Sequence, residues 1–134
     1  MRTLALLYTG ALLGHSFIAT PAKFLAADLT TAQLLLVGRA TFGVFAWCEL
    51  AFIVALLIGA RASRRSLLLA CIVAVIAGAQ HLWLRPILDE RVDAILAGAD
   101  DAPTSRHHVY ALLELAKLGL LLVMAAFPSR AAAP

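Results

Sequence analysis

Apolar residues run along the chain in four long blocks rather than alternating, and each block is bounded by charge, proline or glycine. A helix crossing a hydrocarbon core of ~30 Å needs ~20 mostly apolar residues. Windows of that kind run from Thr3 to about Thr20, from about Thr41 to Ala60, from Ser66 to about Arg85 and from about His108 to Phe127. None alternates as a barrel strand does, and backbone groups in lipid must bond internally, so all four are predicted to be helices. Only short connections remain between them. The pattern therefore predicts a single domain over 1–134, an all-α, polytopic membrane four-helix bundle.

The connections carry their own signals. Thr30-x-x-Gln33 matches a capping box, which starts the second helix near Thr31, ahead of its most apolar part. After Pro86, the stretch from Ile87 to Leu96 sets Leu88, Val92, Ile95 and Leu96 against Asp89, Glu90 and Asp93, the pattern of an amphipathic extension over about 87–97 that Gly98 ends. The first window, with one Arg before it and Ala19-Thr20-Pro21-Ala22 behind it, has the outline of a secretory signal peptide. Tyr8, His15 and a Gly10-x-x-x-Gly14 pair, which would let another helix approach closely, favour a retained span instead.

Composition removes the competing classes. Hydrophobic residues make up 63% of the chain and charged residues 14%, with mean hydropathy +0.92, whereas soluble domains run near ~45–50% apolar and ~25% charged. A water-soluble globule and a disordered chain are excluded. Two cysteines do not make a disulfide scaffold, and a scattered net charge of +3 does not make a nucleic-acid binder. The lipid bilayer is the expected partner, with a homo-oligomer or a larger membrane complex as further possibilities and no nucleic acid.

Orientation follows from the cations near the helix ends. With four spans, Arg2, Arg61, Arg64, Arg65 and Arg130 share one side and no acid joins them. Lys23, Arg39, Arg85, Arg91 and Arg106 share the other with six acids, Asp28, Asp89, Glu90, Asp93, Asp100 and Asp101. The basic counts tie, but Arg61, Arg64 and Arg65 crowd one short turn, where charge weighs most, so both termini are expected to be cytoplasmic.

Ionisable groups inside a span cost on the order of ~3 kcal/mol at its centre and point to function by default. Counted at ~1.5 Å per residue from the terminal end, His15 and Glu49 lie ~18 Å deep, Lys117 ~15 Å, Glu114 ~20 Å, and Gln80 with His81 ~21 to 23 Å. All four helices feed one layer. In the fourth, His107, Tyr110, Glu114, Lys117, Leu121 and Met124 fall on one heptad stripe; in the second, Glu49 shares a stripe with Phe42, Phe45, Phe52 and Leu56; in the first, Tyr8 and His15 share a face. Glu114 and Lys117 at spacing three can neutralise one another, which leaves Glu49 in need of Lys117, a histidine or a proton. Coupling of Glu49 to Lys117 across the bundle is the expectation.

The candidate binding cluster is therefore His15, Glu49, Gln80, His81, Glu114 and Lys117, with no catalytic residues. Three uses are open to it: hydrogen-bonding glue between helices, a path for a proton or small solute, and, through His15 and His81 at similar depth, ligation of haem or a metal. No cofactor is the first expectation and haem the alternative. An accessory subunit of a larger complex is a further class. His107 and His108, adjacent on a helix and so ~100° apart, read as interfacial imidazoles. Cys48 and Cys71, ~12 Å apart in depth, read as packing residues and not as a disulfide. Trp83 and Tyr110 read as interfacial anchors, with Arg39 and Arg85 snorkelling to headgroups. No nucleophile and base at fixed spacing, phosphate loop, CxxC or HExxH occurs.

The stretches TPAKFLA (20–26), VGRATF (37–42) with Glu49 beyond it, QHLWLRPILDERVDAILAG (80–98) and HHVYALLELAK (107–117) together resemble a bacterial family of small four-span membrane proteins of unknown function. The resemblance implies the same bundle in an inner (plasma) membrane, places Glu49, Gln80, Glu114 and Lys117 within family-like motifs, and implies no activity. A looser likeness, four spans with intramembrane histidines, extends to copper-resistance D-type and haem-linked membrane proteins.

Overall fold

The computed structural model describes residues 1–26, 28–99 and 105–126. Four helices account for nearly all of them: α1 (Arg2–Leu25), α2 (Thr31–Ala62), α3 (Arg64–Leu96) and α4 (Ser105–Ala126), each long and apolar enough to cross a membrane. No strand occurs among the described residues. Phe127 at the end of the fourth window, Arg130, the tail from Ala131 to Pro134, and Asp100 and Asp101 lie outside them.

The helices form a ring in which α1 packs on α2 and α4, and α3 packs on α2 and α4. Met1 reaches the 60–63 turn, where its sulfur lies 2.8 Å from where a Cβ on Gly59 would stand. That end, which also holds Ala126, is the terminal end of the bundle; the 26–30 and 97–99 connections form the far end. Around the terminal half the core is apolar, built of Ala5, Leu12, Ile53, Leu56, Ala60, Ala70, Val73, Leu121 and Met124. The outward surface is apolar as well, with Ile18, Val44, Trp47, Val75, Leu82 and Trp83 all exposed.

Local chemistry accounts for the helix ends. Thr30 Oγ1 accepts from Gln33 N at 3.3 Å and Gln33 Oε1 accepts from Thr30 N at 2.8 Å, so the capping box starts α2 at Thr31 as its spacing predicts. Ser63 caps α3 through Ser66 N. Gly98, at φ 98°, follows the last turn of α3 in the left-handed conformation that glycine adopts without steric cost.

Two helices run further than their windows. α1 passes through Pro21 and α3 through Pro86 into the predicted amphipathic extension, where the sequence reading placed boundaries near Thr20 and Arg85. Both prolines follow a π-helical stretch, Leu13–Ala19 in α1 and Gln80–Leu84 in α3. A proline inside an α-helix removes an N–H and drives its ring against the carbonyl four residues back. Here the residue just before each proline bonds five back instead, Thr20 N to His15 O and Arg85 N to Gln80 O. The wider turn makes room for the ring and the helix continues.

The Gly10-x-x-x-Gly14 pair behaves differently from expectation. A Cβ on either glycine would meet nothing within 4 Å, so no helix approaches there. Close approach occurs on α2 instead, where a Cβ on Gly38 would collide with Lys23 Nζ and one on Gly43 would stand 3.2 Å from Arg85 Nη2. Two cations from neighbouring helices occupy the room that these glycines leave.

Candidate functional site

Glu49 is fully buried midway along α2, and both of its oxygens are engaged by other helices. Tyr8 Oη on α1 donates to Oε1 at 2.5 Å, Lys117 Nζ on α4 pairs with the same oxygen, and His81 Nε2 on α3 lies 2.6 Å from Oε2. One carboxylate thus ties all four helices together. Lys117, also fully buried, reaches Glu114 Oε1 at 2.9 Å. Glu114 accepts in addition from Gln80 Nε2 at 2.9 Å and from Ser16 Oγ at 3.0 Å. Gln80 Nε2 donates as well to the Tyr110 carbonyl at 3.3 Å.

The cluster holds two carboxylates, Glu49 and Glu114, and one ammonium, Lys117. Isolated charge in a low-dielectric interior costs far more than a paired one. By formal charge the group carries one net negative charge, and His81 Nε2 stands 2.6 Å from Glu49 Oε2. His81 Nδ1 and Gln80 Oε1 are buried without a hydrogen-bond partner among the described residues.

The two π-helical stretches supply much of this geometry. Gln80 and His81 open the one in α3 and reach different helices, Gln80 to α4 and His81 to α2. Ser16 sits in the one in α1 and reaches α4. In the same stretch as Ser16, the His15 ring turns to Phe42 and Phe45 of α2. His15 therefore stands apart from the cluster: its ring stacks on Phe45 at 4.2 Å and meets Phe42 edge-on at 4.7 Å, and its Nε2 is buried without a partner among the described residues.

Of the six residues that depth counting brings to one layer, Glu49, Gln80, His81, Glu114 and Lys117 share a network and His15 does not. Tyr8 and Ser16 join it instead. Tyr8 carried a signal, a polar tip on the same helix face as Ala5 and Leu12; the role of Ser16 depends on the irregular turn. Several further expectations are corrected. Cys48 and Cys71 are exposed on the outward surface, not packed. Arg39 and Arg85 turn to carboxylates: Arg39 pairs with Asp93 at 2.8 Å and Asp89 at 3.4 Å, and Arg85 approaches Asp89 at 3.6 Å. Tyr110 is half-buried, edge-on to Phe42 at 5.6 Å, rather than an outward anchor. Trp83 and His108 are exposed.

A cavity of about 560 Å³ lies between the cluster and the far end of the bundle. Ser16, Tyr110 and Glu114 line it, as do Lys23, Arg39 and Arg85. Ser16 and Glu114 thus belong both to the buried network and to the cavity wall. Towards the terminal end the network abuts the apolar core. No group of three or more His, Cys, Asp or Glu side chains is arranged to hold a metal ion among the described residues. Compared with family models, curated proteins and solved structures, the chain has no match. Geometry and chemistry alone carry the functional reading.

Proposed function

We propose that the chain is a multi-pass protein of a bacterial inner membrane, with both termini cytoplasmic, in which the Glu49–Lys117–Glu114 network takes up and passes protons that enter through the far-end cavity. The apolar outward surface and four helices of spanning length support the membrane setting. The observation that carries the proton reading is that Glu114 and Ser16 are shared between the network and the cavity wall. A network with one net negative charge by formal count, connected to a cavity by a carboxylate and a hydroxyl, has the groups that intramembrane proton relays use. Interhelical glue alone needs neither the cavity nor the surplus carboxylate.

The test is proton uptake into vesicles reconstituted with the full chain, loaded with a pH-sensitive dye and driven by a potassium diffusion potential. Wild-type protein is expected to acidify the lumen faster than protein-free vesicles. Glu114→Gln should fall to the protein-free rate, and Ser16→Ala, which deletes one neutral donor at the cavity wall, should slow uptake while leaving the circular dichroism unchanged. Equal rates for wild type and empty vesicles, or an undiminished rate in folded Glu114→Gln, would overturn the proposal.

A further inference from the structure

The cavity contains more positive than negative charge. Lys23, Arg39, Arg85 and Arg91 line it against two carboxylates, Asp89 and Glu114. Both carboxylates already have partners: Asp89 lies against Arg39 and Arg85, and Glu114 against Lys117, Gln80 and Ser16. Lys23 is different. No carboxylate among the described residues lies within 4.0 Å of its ammonium, which is half-buried, sits over the Phe24 ring 5.0 Å from its centroid, and rests in the notch left by Gly38. A cation removed from water without a counter-charge is costly, and an incoming anion would offset that cost.

The rest of the wall is apolar, including Phe17, Leu35, Phe42, Leu88, Val92 and Ile95. A volume of about 560 Å³ falls within the ~300–1,000 Å³ typical of small-molecule sites, which pair apolar walls with a few placed polar groups. We propose that this cavity binds an amphiphilic anion, its phosphate or carboxylate head on Lys23 and its apolar body against Phe42 and Leu88. Charge-assisted hydrogen bonds from the ammonium hold the head. Gly38 leaves room for the ammonium, since a Cβ there would stand on Lys23 Nζ and make it shift. This site does not depend on the proton reading: an anion can bind at Lys23 whether or not Glu114 passes protons.

The experiment is native mass spectrometry of the full chain released from neutral detergent and titrated separately with dodecyl phosphate, phosphatidylglycerol, dodecanol and diacylglycerol. One anionic molecule per chain is expected, bound about tenfold or more tightly than its neutral counterpart. Saturation by phosphatidylglycerol assigns the bilayer as the source; saturation by dodecyl phosphate alone assigns a free amphiphile. Lys23→Met should remove the preference for the anion and Lys23→Arg should keep it. Because Lys23 has no ion pair among the described residues, both variants are expected to fold, and melting temperature checks that. Equal binding of anionic and neutral probes, or an unchanged preference in Lys23→Met, would overturn the site.

Discussion

Lys117 is the residue whose removal should cost most, because its single ammonium serves both Glu49 and Glu114. Breaking a buried pair on one side strands the other charge and costs ~3–5 kcal/mol, whereas replacing both partners with apolar or neutral groups is much milder. A double-mutant cycle with Glu49→Gln and Lys117→Met, read by thermal unfolding in detergent, should therefore be strongly non-additive, with Lys117→Met the more damaging single change. Strict additivity would show the two side chains to be energetically independent. At this scale much was legible in the sequence. Counting helical rise brings Glu49, Gln80, His81, Glu114 and Lys117 to one depth, and spans bury ionisable groups only together. His15 is counted into the same layer, but its ring packs on Phe42 and Phe45 and has no hydrogen bond to the cluster.

Among elements, proline and glycine do the shaping, though not where sequence patterns point first. Pro21 and Pro86 read as boundaries, yet each helix continues past its proline behind a π-helical stretch. Those stretches hold Ser16, Gln80 and His81, so the features that admit the prolines also orient three members of the network. The glycines divide in the same way. Gly10 faces open space, so Gly10→Ala should stabilise the protein by ~0.5–1 kcal/mol through chain entropy and helix propensity. Gly38→Ala gains the same propensity but displaces the Lys23 ammonium, so its melting temperature should rise less than that of Gly10→Ala. Parallel thermal melts of the two variants make the comparison. A larger gain at Gly38 would mean that the seat of Lys23 is not occupied as described.

For the whole molecule, the proposed orientation puts the 60–63 turn in the cytoplasm and the 26–30 connection outside. Cys48 and Cys71 are exposed and partnered by no disulfide, so replacing both with Ala should leave the bundle intact. In that background, Asp28→Cys is expected to react with a membrane-impermeant maleimide in intact cells and Arg61→Cys only after permeabilisation. The reverse pattern would invert the topology, and with it the side from which the cavity fills.

The number of long apolar helices, the all-α class and the cap at Thr30 were legible in the residues alone. These depend on local quantities: the length of an apolar run and the spacing of a hydroxyl and an amide. Packing between helices was needed to bring donors from three other helices to Glu49, to set Ser16 rather than His15 against Glu114, to turn Arg39 and Arg85 to Asp89, and to open a cavity lined by Lys23 beside the network. Each of those outcomes depends on the rotation of every helix about its axis and on which helices are neighbours. One-dimensional periodicity fixes rotation only while the turn stays regular, and two of the four helices that place the site, α1 and α3, contain π-helical stretches that hold Ser16, Gln80 and His81.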